Sequence, residues 1–103
     1  MKNFNTMKIE DIRNELAEKI KSIEPLGKKL KFKLDEDIIL IDGTSGKNLI
    51  NAIDEEADCT IIMSKETYVK LQKNEIKPMM ATLTGKIKVK GDLNLARKLK
   101  QLT

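Results

Sequence analysis

The chain has 103 residues, 40% hydrophobic and 35% charged, with three aromatic side chains, so we expect one domain spanning residues 1–103 with an aliphatic core. It has no histidine and one cysteine, Cys59, which excludes the usual neutral-pH general base, an internal disulfide and a cysteine-based zinc site. The net charge of +4 is concentrated in residues 65–103, but lysines far outnumber the two arginines, which disfavours sequence-specific nucleic-acid recognition.

The first predicted element is a helix from about Met7 to Ser22. Asn5 or Thr6 is its expected N-cap, and Pro25 follows its end. Its apolar residues recur at intervals of three and four, which is the period of one helix face. That stripe consists of Ile9, Ile12, Leu16, Ile20 and Ile23.

Four predicted strands follow, joined by polar turns. They comprise residues 29–34, 38–41, 48–53 and 59–63. The first alternates leucine or phenylalanine with lysine, which is typical of a half-buried strand. The second is continuously apolar, so both of its faces should be partly covered. Consecutive strands joined by short turns are expected to pair antiparallel.

The remaining elements are predicted from turn and cap residues. Ser64 should cap a short helix from Lys65 to about Lys73. Pro78 and Gly85 bound a further short helix, since proline suits its first turn and glycine the position after its end. The alternation of residues 86–90 predicts a fifth strand that Gly91 breaks, and Asp92 should cap a helix over residues 93–102. Strands grouped together with helices at the ends indicate an α+β fold.

Three patterns are candidates for metal, phosphate or nucleophile chemistry. The acidic turns at residues 35–37 and 54–58 lack the spacing of a calcium loop, so solvated turns fit them better. Residues 43–47 contain a Gly-Lys pair without the frame of a phosphate loop, which favours a hairpin. Cys59 has no histidine to activate it and lies in a β-branched run, as a buried structural cysteine would. We therefore predict no catalytic residue, no metal site and no cofactor.

Three features of the C-terminal part of the chain each leave two interpretations open. Lys86, Lys88 and Lys90 share a strand face that either binds anions or is simply solvated. The helix predicted over residues 93–102 has leucines opposite basic residues, so it either covers the core or rests on a membrane. A group of adaptable apolar side chains either fills the core or lines a binding site. That group consists of Met63, Met79, Met80 and Leu83.

An ordered series of short motifs extends from Ala57 to the last helix. A strand ending in Met63-Ser64 and a short helix are followed by Pro-x-x-Ala-x-x-x-Gly-Lys-Ile-Lys-Val-x-Gly and by Asp-Leu-x-Leu-Ala-x-Lys-Leu. The fixed positions are Pro78, Ala81, Gly85, Lys86, Ile87, Lys88, Val89, Gly91, Asp92, Leu93, Leu95, Ala96, Lys98 and Leu99. This series resembles the sterol carrier protein-2 family, and the first half of the chain agrees with that family in element order.

The resemblance implies both a fold and a function. The fold is a five-stranded, mostly antiparallel sheet with helices covering one face and an apolar tunnel between sheet and helices. The implied function is non-enzymatic binding and transfer of a sterol, a fatty acid or an acyl-CoA, with transient contact to an anionic membrane surface. The predicted apolar lining consists of Phe32, Ile61, Met63, Met79, Met80, Leu83, Leu95 and Leu99.

Two departures from the family pattern bear on the tunnel. Thr82 stands where an aromatic residue is usual, and the second strand lacks the common tryptophan, so the cavity is expected to differ in shape or size. A closed protein-interaction module with the same fold is therefore the alternative, and a weak lysine-driven nucleic-acid binder is the third hypothesis. The N-terminus is unlike a signal peptide, and residues 101–103 differ from a peroxisomal Ser-Lys-Leu signal, so we expect a cytoplasmic protein.

Overall fold

The structure is a computed structural model that describes residues 8–98. Its elements follow the predicted order of one helix, four strands, two helices, one strand and one helix. They are α1 (Ile9–Ile20), β1 (Lys29–Leu34), β2 (Asp37–Asp42), β3 (Leu49–Asn51), β4 (Cys59–Met63), α2 (Lys65–Gln72), α3 (Pro78–Leu83), β5 (Lys88–Gly91) and α4 (Leu93–Ala96). The predicted α+β class is therefore confirmed.

The five strands form one mixed sheet in the order β3-β2-β1-β4-β5. Neighbouring strands pair antiparallel except β1 and β4, which pair parallel with Phe32 opposite Ile61. The expectation that all consecutive strands would pair antiparallel is wrong for β3 and β4, which are not neighbours. The acidic segment 54–58, which was predicted to be a turn, is instead part of a crossover over residues 52–58 that passes β2 and β1.

One face of the sheet is covered by the helices. Alternate residues of β1 and β4 point to this face and are buried, because side chains alternate between faces along a strand. The helices place apolar side chains against them in one continuous core: α1 contributes Ile12 and Leu16, α2 contributes Tyr68, α3 contributes Ala81 and α4 contributes Leu95. The predicted one-sided helical layer is confirmed. The described residues form a packed core between sheet and helices, so the tunnel stays a prediction.

The opposite face of the sheet carries the crossover. Lys31 lies on this face and bonds Asp54 across 2.9 Å, while Lys29 bonds Glu55 across 2.6 Å. Leu40 also faces this side, yet it is fully buried and is not among the residues of the helix-covered core. The prediction that both faces of the second strand are covered is thus confirmed, and part of the acidic segment 54–58 pairs with lysines.

Element boundaries differ from the predictions at the ends of the chain and at β3, which covers Leu49–Asn51 rather than residues 48–53. Lys8, rather than Asn5 or Thr6, precedes α1, and those two residues lie outside the described part of the chain. The fifth strand begins at Lys88 rather than at residue 86 and includes Gly91. The described part of α4 ends at Ala96, so most of the helix predicted over residues 93–102, including Leu99, lies outside the described residues.

Candidate ligand-binding groove

The short helix α3 is defined by its end residues and is weakly anchored. Pro78 occupies its first turn, where the missing N–H costs no hydrogen bond. Gly85 has φ of 78°, and the N–H of Lys86 bonds the carbonyl of Ala81 across 2.8 Å, which closes the helix end. Among the side chains of α3 only Ala81 is buried, so a single small residue anchors the helix in the core.

The turn between β5 and α4 depends on a close approach of two backbones. Gly91 has φ of 97°, and a β-carbon at this position would collide with the carbonyl oxygen of Asp58. Asp92 then caps α4 by accepting hydrogen bonds from the N–H groups of Asn94 and Leu95. Lys28 hydrogen-bonds the Asp92 carboxylate and, together with the capping N–H groups, holds the pKa of that carboxyl below its ordinary value of 3.8.

The helices α3 and α4 and the strand β5 border an open, mostly apolar groove of about 190 Å³, which we call the α3–α4 groove. Its lining consists of Pro78, Met79, Thr82, Ile87, Val89, Leu93, Ala96 and Arg97. Ile87 and Val89 form the base, since Ile87 is buried in the core and Val89 pairs with Ile61 of β4. The groove therefore opens to solvent on one side and borders the core on the other.

Two of the residues that line the groove, Thr82 and Arg97, have polar side chains. The Thr82 hydroxyl donates to the carbonyl of Pro78 across 2.8 Å, so it presents no unpaired donor to a ligand. Arg97 is exposed at the rim and makes no ion pair with another described residue. The arrangement suits an apolar chain with an anionic end: the chain would lie on Ile87 and Val89, and the end would meet a guanidinium.

The residues predicted to line a tunnel divide into two groups. Phe32, Ile61, Met63 and Leu95 are at most 5% exposed and pack in the core. The three from α3 are exposed instead: Met79 by 75%, Met80 by 52% and Leu83 by 74%. Met79 alone of the described seven lines the groove, and Leu99 lies outside the described residues, so the lining as a set stays a prediction.

Several groove residues were not among the predicted lining. Pro78 was assigned to a helix start, Val89 to a strand and Ala96 to the last helix, and Arg97 was assigned to a basic helix face. Thr82 was noted as a departure that changes the cavity, but it was not placed in the lining. A usable signal was present in the alternation of residues 86–90, because it places Ile87 and Val89 on the apolar side of the last strand. Knowing that this strand lies at the sheet edge, beside both short helices, required the structure.

Two other cavities have different lining. One of about 530 Å³ is formed mainly by the loop at residues 22–26 together with Lys98, and its lining is largely polar. A second of about 190 Å³ lies between α1 and α2, beside Tyr68. The Tyr68 hydroxyl is buried and has no hydrogen-bond partner within residues 8–98. Its burial, followed by the charge of Glu15, raises its pKa. Three of the five side chains that line the second cavity are charged or carry an amide, whereas two of the eight that line the α3–α4 groove are polar.

Cys59 and the acidic side chains show no reactive arrangement. Cys59 is fully buried, and this burial, with a smaller contribution from Asp92, raises its thiol pKa to about 11. It is therefore protonated at neutral pH and a poor nucleophile. Within residues 8–98 no cluster of three acidic or cysteine side chains is placed to hold a metal ion. Nor is any helix of that range both long and apolar enough to cross a membrane.

Comparison with known sequences gives a family match over nearly the whole chain. Residues 4–103 match the model of the SCP-2 sterol transfer family. Sterol carrier protein 2 of Bos taurus is 31% identical over 96 residues, covering 92% of this chain and 18% of the relative. Hydroxysteroid dehydrogenase-like protein 2 of the same species is 42% identical over 48 residues, covering 47% of this chain and 12% of the relative. The chain thus spans less than a fifth of either relative.

Comparison with solved structures gives the same fold. Sterol carrier protein-2 of Aedes aegypti, solved in complex with palmitate, superposes with a TM-score of 0.72 at 18% identity, covering 92% of this chain and 94% of the other. The apo form of sterol carrier protein 2 from Yarrowia lipolytica superposes with a TM-score of 0.68 at 18% identity, covering 99% and 91%. At these identities the likeness establishes the arrangement of helices and strands.

Proposed function

The chain belongs to the SCP-2 sterol transfer family, and from that premise we propose that it binds and transfers a lipid with a long apolar chain. A fatty acid is the ligand class we favour, with a sterol or an acyl-CoA as further candidates. The observation that carries this proposal is the α3–α4 groove, whose base is continuous with the core. The Aedes aegypti protein of the same fold, solved with palmitate, supports a fatty acid.

The groove must widen to hold such a ligand. Its volume of about 190 Å³ is below the roughly 300–1,000 Å³ typical of small-molecule pockets. An empty cavity of about 300 Å³ would cost on the order of 7 kcal/mol at roughly 24 cal/mol per Å³, which rivals the stability of a small domain. A closed ligand-free state and an open ligand-bound state are therefore expected.

We propose that α3 is the element that moves. It is six residues long and buries only Ala81, so displacing it exposes little apolar surface. Gly85, at its C-terminal end, has a left-handed backbone with open space around its α-carbon, which leaves room for rearrangement. Each methylene of the ligand that enters contributes about 0.8 kcal/mol, so a long chain readily offsets the displacement.

Arg97 is the proposed partner of an anionic ligand end. It lies at the rim of the groove, and a guanidinium matches the two oxygens of a carboxylate. The fatty acid would then lie with its chain on Ile87 and Val89 and its carboxylate at the solvent edge. This orientation leaves the charged end hydrated, which avoids the cost of burying it.

The proposal has several further parts. The chain acts as a carrier without catalytic residues or a cofactor, and it makes transient contact with an anionic membrane surface. A single domain over residues 1–103 and a cytoplasmic location stay predictions from the sequence.

The direct test is native mass spectrometry of the freshly purified protein with lipid extraction, followed by thermal shift with palmitate. A bound acyl chain, or a rise in melting temperature on adding palmitate, is expected, because a ligand that binds the native state stabilises it. A ligand-free mass with no thermal shift for palmitate, a sterol or an acyl-CoA would contradict the carrier function and leave the closed interaction module.

A matched pair of variants locates the site. Leu93→Asp places a carboxylate in the groove, where it repels the fatty acid, and Leu93 is 65% exposed, so the fold should tolerate it. Asn94→Asp adds the same charge at the next, also exposed, position outside the groove lining. We expect palmitate affinity to fall at least about tenfold in the first and to remain near the wild-type value in the second. Equal affinities would place the ligand elsewhere.

A further inference from the structure

The outer side of α3 carries apolar side chains that do not belong to the groove. Met80 is 52% exposed and Leu83 is 74% exposed, and neither lines the α3–α4 groove. They lie three residues apart, so they share one side of the helix. Met79, at 75% exposure, is adjacent and connects this side to the groove. Three large apolar side chains on one six-residue helix form an exposed patch rather than scattered single residues.

The surroundings of this patch are cationic. Lys77 is the residue that caps the start of α3, and Lys86 follows its end, and both are exposed. Residues 76–98 contain six basic side chains and a single acidic one, Asp92, which is paired with Lys28. Among described residues, none of the six basic side chains forms an ion pair. The chain segment that carries the patch therefore has a large excess of positive charge, which favours an anionic partner.

We propose that Met80 and Leu83, with Lys77 and Lys86 beside them, form a docking surface for an anionic lipid bilayer. Apolar side chains enter the headgroup region, while lysines attract anionic lipids. Five of the six unpaired basic groups are lysines, which act as point charges without fixed geometry and suit a fluid anionic surface. Methionine adapts in the same way to an irregular apolar environment.

The proposal rests on the proposed lipid carrier function, and it adds how the protein is oriented when it meets the membrane. Met79 links the docking surface to the groove, so a protein docked through α3 holds the groove opening beside the bilayer. Insertion of Met80 and Leu83 would also favour displacement of α3 from the core, since only Ala81 opposes it. Docking and opening are then coupled through one helix.

Co-sedimentation with vesicles tests the docking surface. We expect wild-type protein to bind phosphatidylserine-rich vesicles and to bind pure phosphatidylcholine vesicles far more weakly, with affinity falling as salt is raised. Met80→Ser with Leu83→Ser should reduce affinity for phosphatidylserine-rich vesicles by about tenfold or more. Lys77→Gln with Lys86→Gln should reduce it by a similar factor and remove part of the salt dependence.

Matched controls come from the far edge of the sheet. Leu49 and Ile53 are 46% and 56% exposed near β3, at the sheet edge opposite β5. Leu49→Ser with Ile53→Ser removes comparable exposed apolar surface. Lys33→Gln with Lys47→Gln removes two exposed charges elsewhere in the chain that, like those of the patch, form no ion pair with another described residue. These variants should bind vesicles as the wild type does. An equal loss in patch and control variants would overturn the proposal, as would wild-type binding by the patch variants.

Palmitate binding in vesicle-free solution separates this proposal from the carrier function. Loss of vesicle binding with unchanged palmitate affinity in the Met80/Leu83 variant supports docking. Loss of palmitate affinity with unchanged vesicle binding would assign these residues to the ligand site and overturn it. A wild-type protein that binds palmitate but no vesicles refutes docking alone, whereas vesicle binding without palmitate binding refutes the carrier function alone. A dimer that this variant dissociates, without vesicle binding, would assign the patch to a second copy.

Discussion

Residues 8–75 and residues 76–98 differ in how far they bury their apolar side chains and pair their charged ones. The first region, which we call the platform, contains α1, β1–β4 and α2, and its large apolar side chains are buried or partly buried except for Leu49 and Ile53. Many of its lysines pair with carboxylates. The second region, the C-terminal unit, exposes four large apolar side chains and leaves its basic groups without ion pairs among described residues.

The difference shows where stability and recognition are located. A side chain that packs in the core stabilises the fold but is hidden from a partner, whereas an exposed apolar group contributes little to folding and remains available for binding. The platform supplies a rigid base through Phe32 and Ile61, and the C-terminal unit places a loosely held helix on its edge. Substitutions in the two regions should therefore separate stability from lipid and membrane binding.

The largest expected effect is in the platform. Phe32→Ala empties a fully buried position and should lower the free energy of unfolding by about 3–5 kcal/mol. Leu83→Ala removes an exposed side chain and should change it by less than about 0.5 kcal/mol. Urea unfolding monitored by circular dichroism measures both. If Phe32→Ala does not fold, Phe32→Leu provides an intermediate value, and comparable losses at positions 32 and 83 would contradict the division.

The next effect concerns the junction between the two regions. Gly91→Ala combines a left-handed backbone with a collision against the Asp58 carbonyl, so we expect a loss of about 3 kcal/mol. Gly85→Ala has a similar positive φ but open space around the new methyl, so only the backbone term of about 1 kcal/mol should appear. Chemical denaturation of both variants separates the two terms. Equal losses would mean that the strand β5 can move away from Asp58.

The sequence predicted the platform better than the C-terminal unit, for physical reasons. The strands at residues 29–34 and 59–63 agree with the structure at both ends, because alternation and β-branched runs reflect local burial. The parallel pairing of β1 with β4 was missed, since residues 54–58 have the composition of a turn and the crossover is a long-range arrangement.

The candidate site was less predictable because exposure depends on tertiary context. Met79, Met80 and Leu83 were expected to line a cavity, because the family resemblance implies an apolar tunnel and methionine adapts to apolar binding sites. Their helix is only six residues long and buries a single side chain, that of Ala81. It also lies beside the edge strand β5, where little protein is available to cover it. Apolar pattern alone does not distinguish burial in a core from exposure to a lipid surface.

A smaller effect is expected at Cys59, which lies opposite Gly91 in the sheet. Burial raises the pKa of its thiol to about 11 from 9.0, so alkylation requires opening of the structure. If the C-terminal unit opens locally more readily than the platform, Cys59 becomes accessible without global unfolding. Iodoacetamide should then alkylate Cys59 faster than the rate expected from the globally unfolded fraction alone. The rate is measured by mass spectrometry against the unfolding free energy. Agreement with global unfolding would show that the two regions open together.

The smallest effect should come from the ion pair of Lys28 and Asp92, which joins the platform to α4. The pKa of the Asp92 carboxyl is lowered by the hydrogen bond from Lys28, then by its bonds to the α4 N–H groups. The unfolded state therefore binds a proton first as pH falls, so this stabilisation is present above pH 3.8 and is lost below it. Asp92→Asn keeps the cap without the charge and should lack this acid sensitivity. Hydrogen exchange at the Leu95 amide, which donates to Asp92, measures this cap directly. If protection of that amide falls equally with decreasing pH in the wild type and in Asp92→Asn, the charge does not hold α4 to the platform.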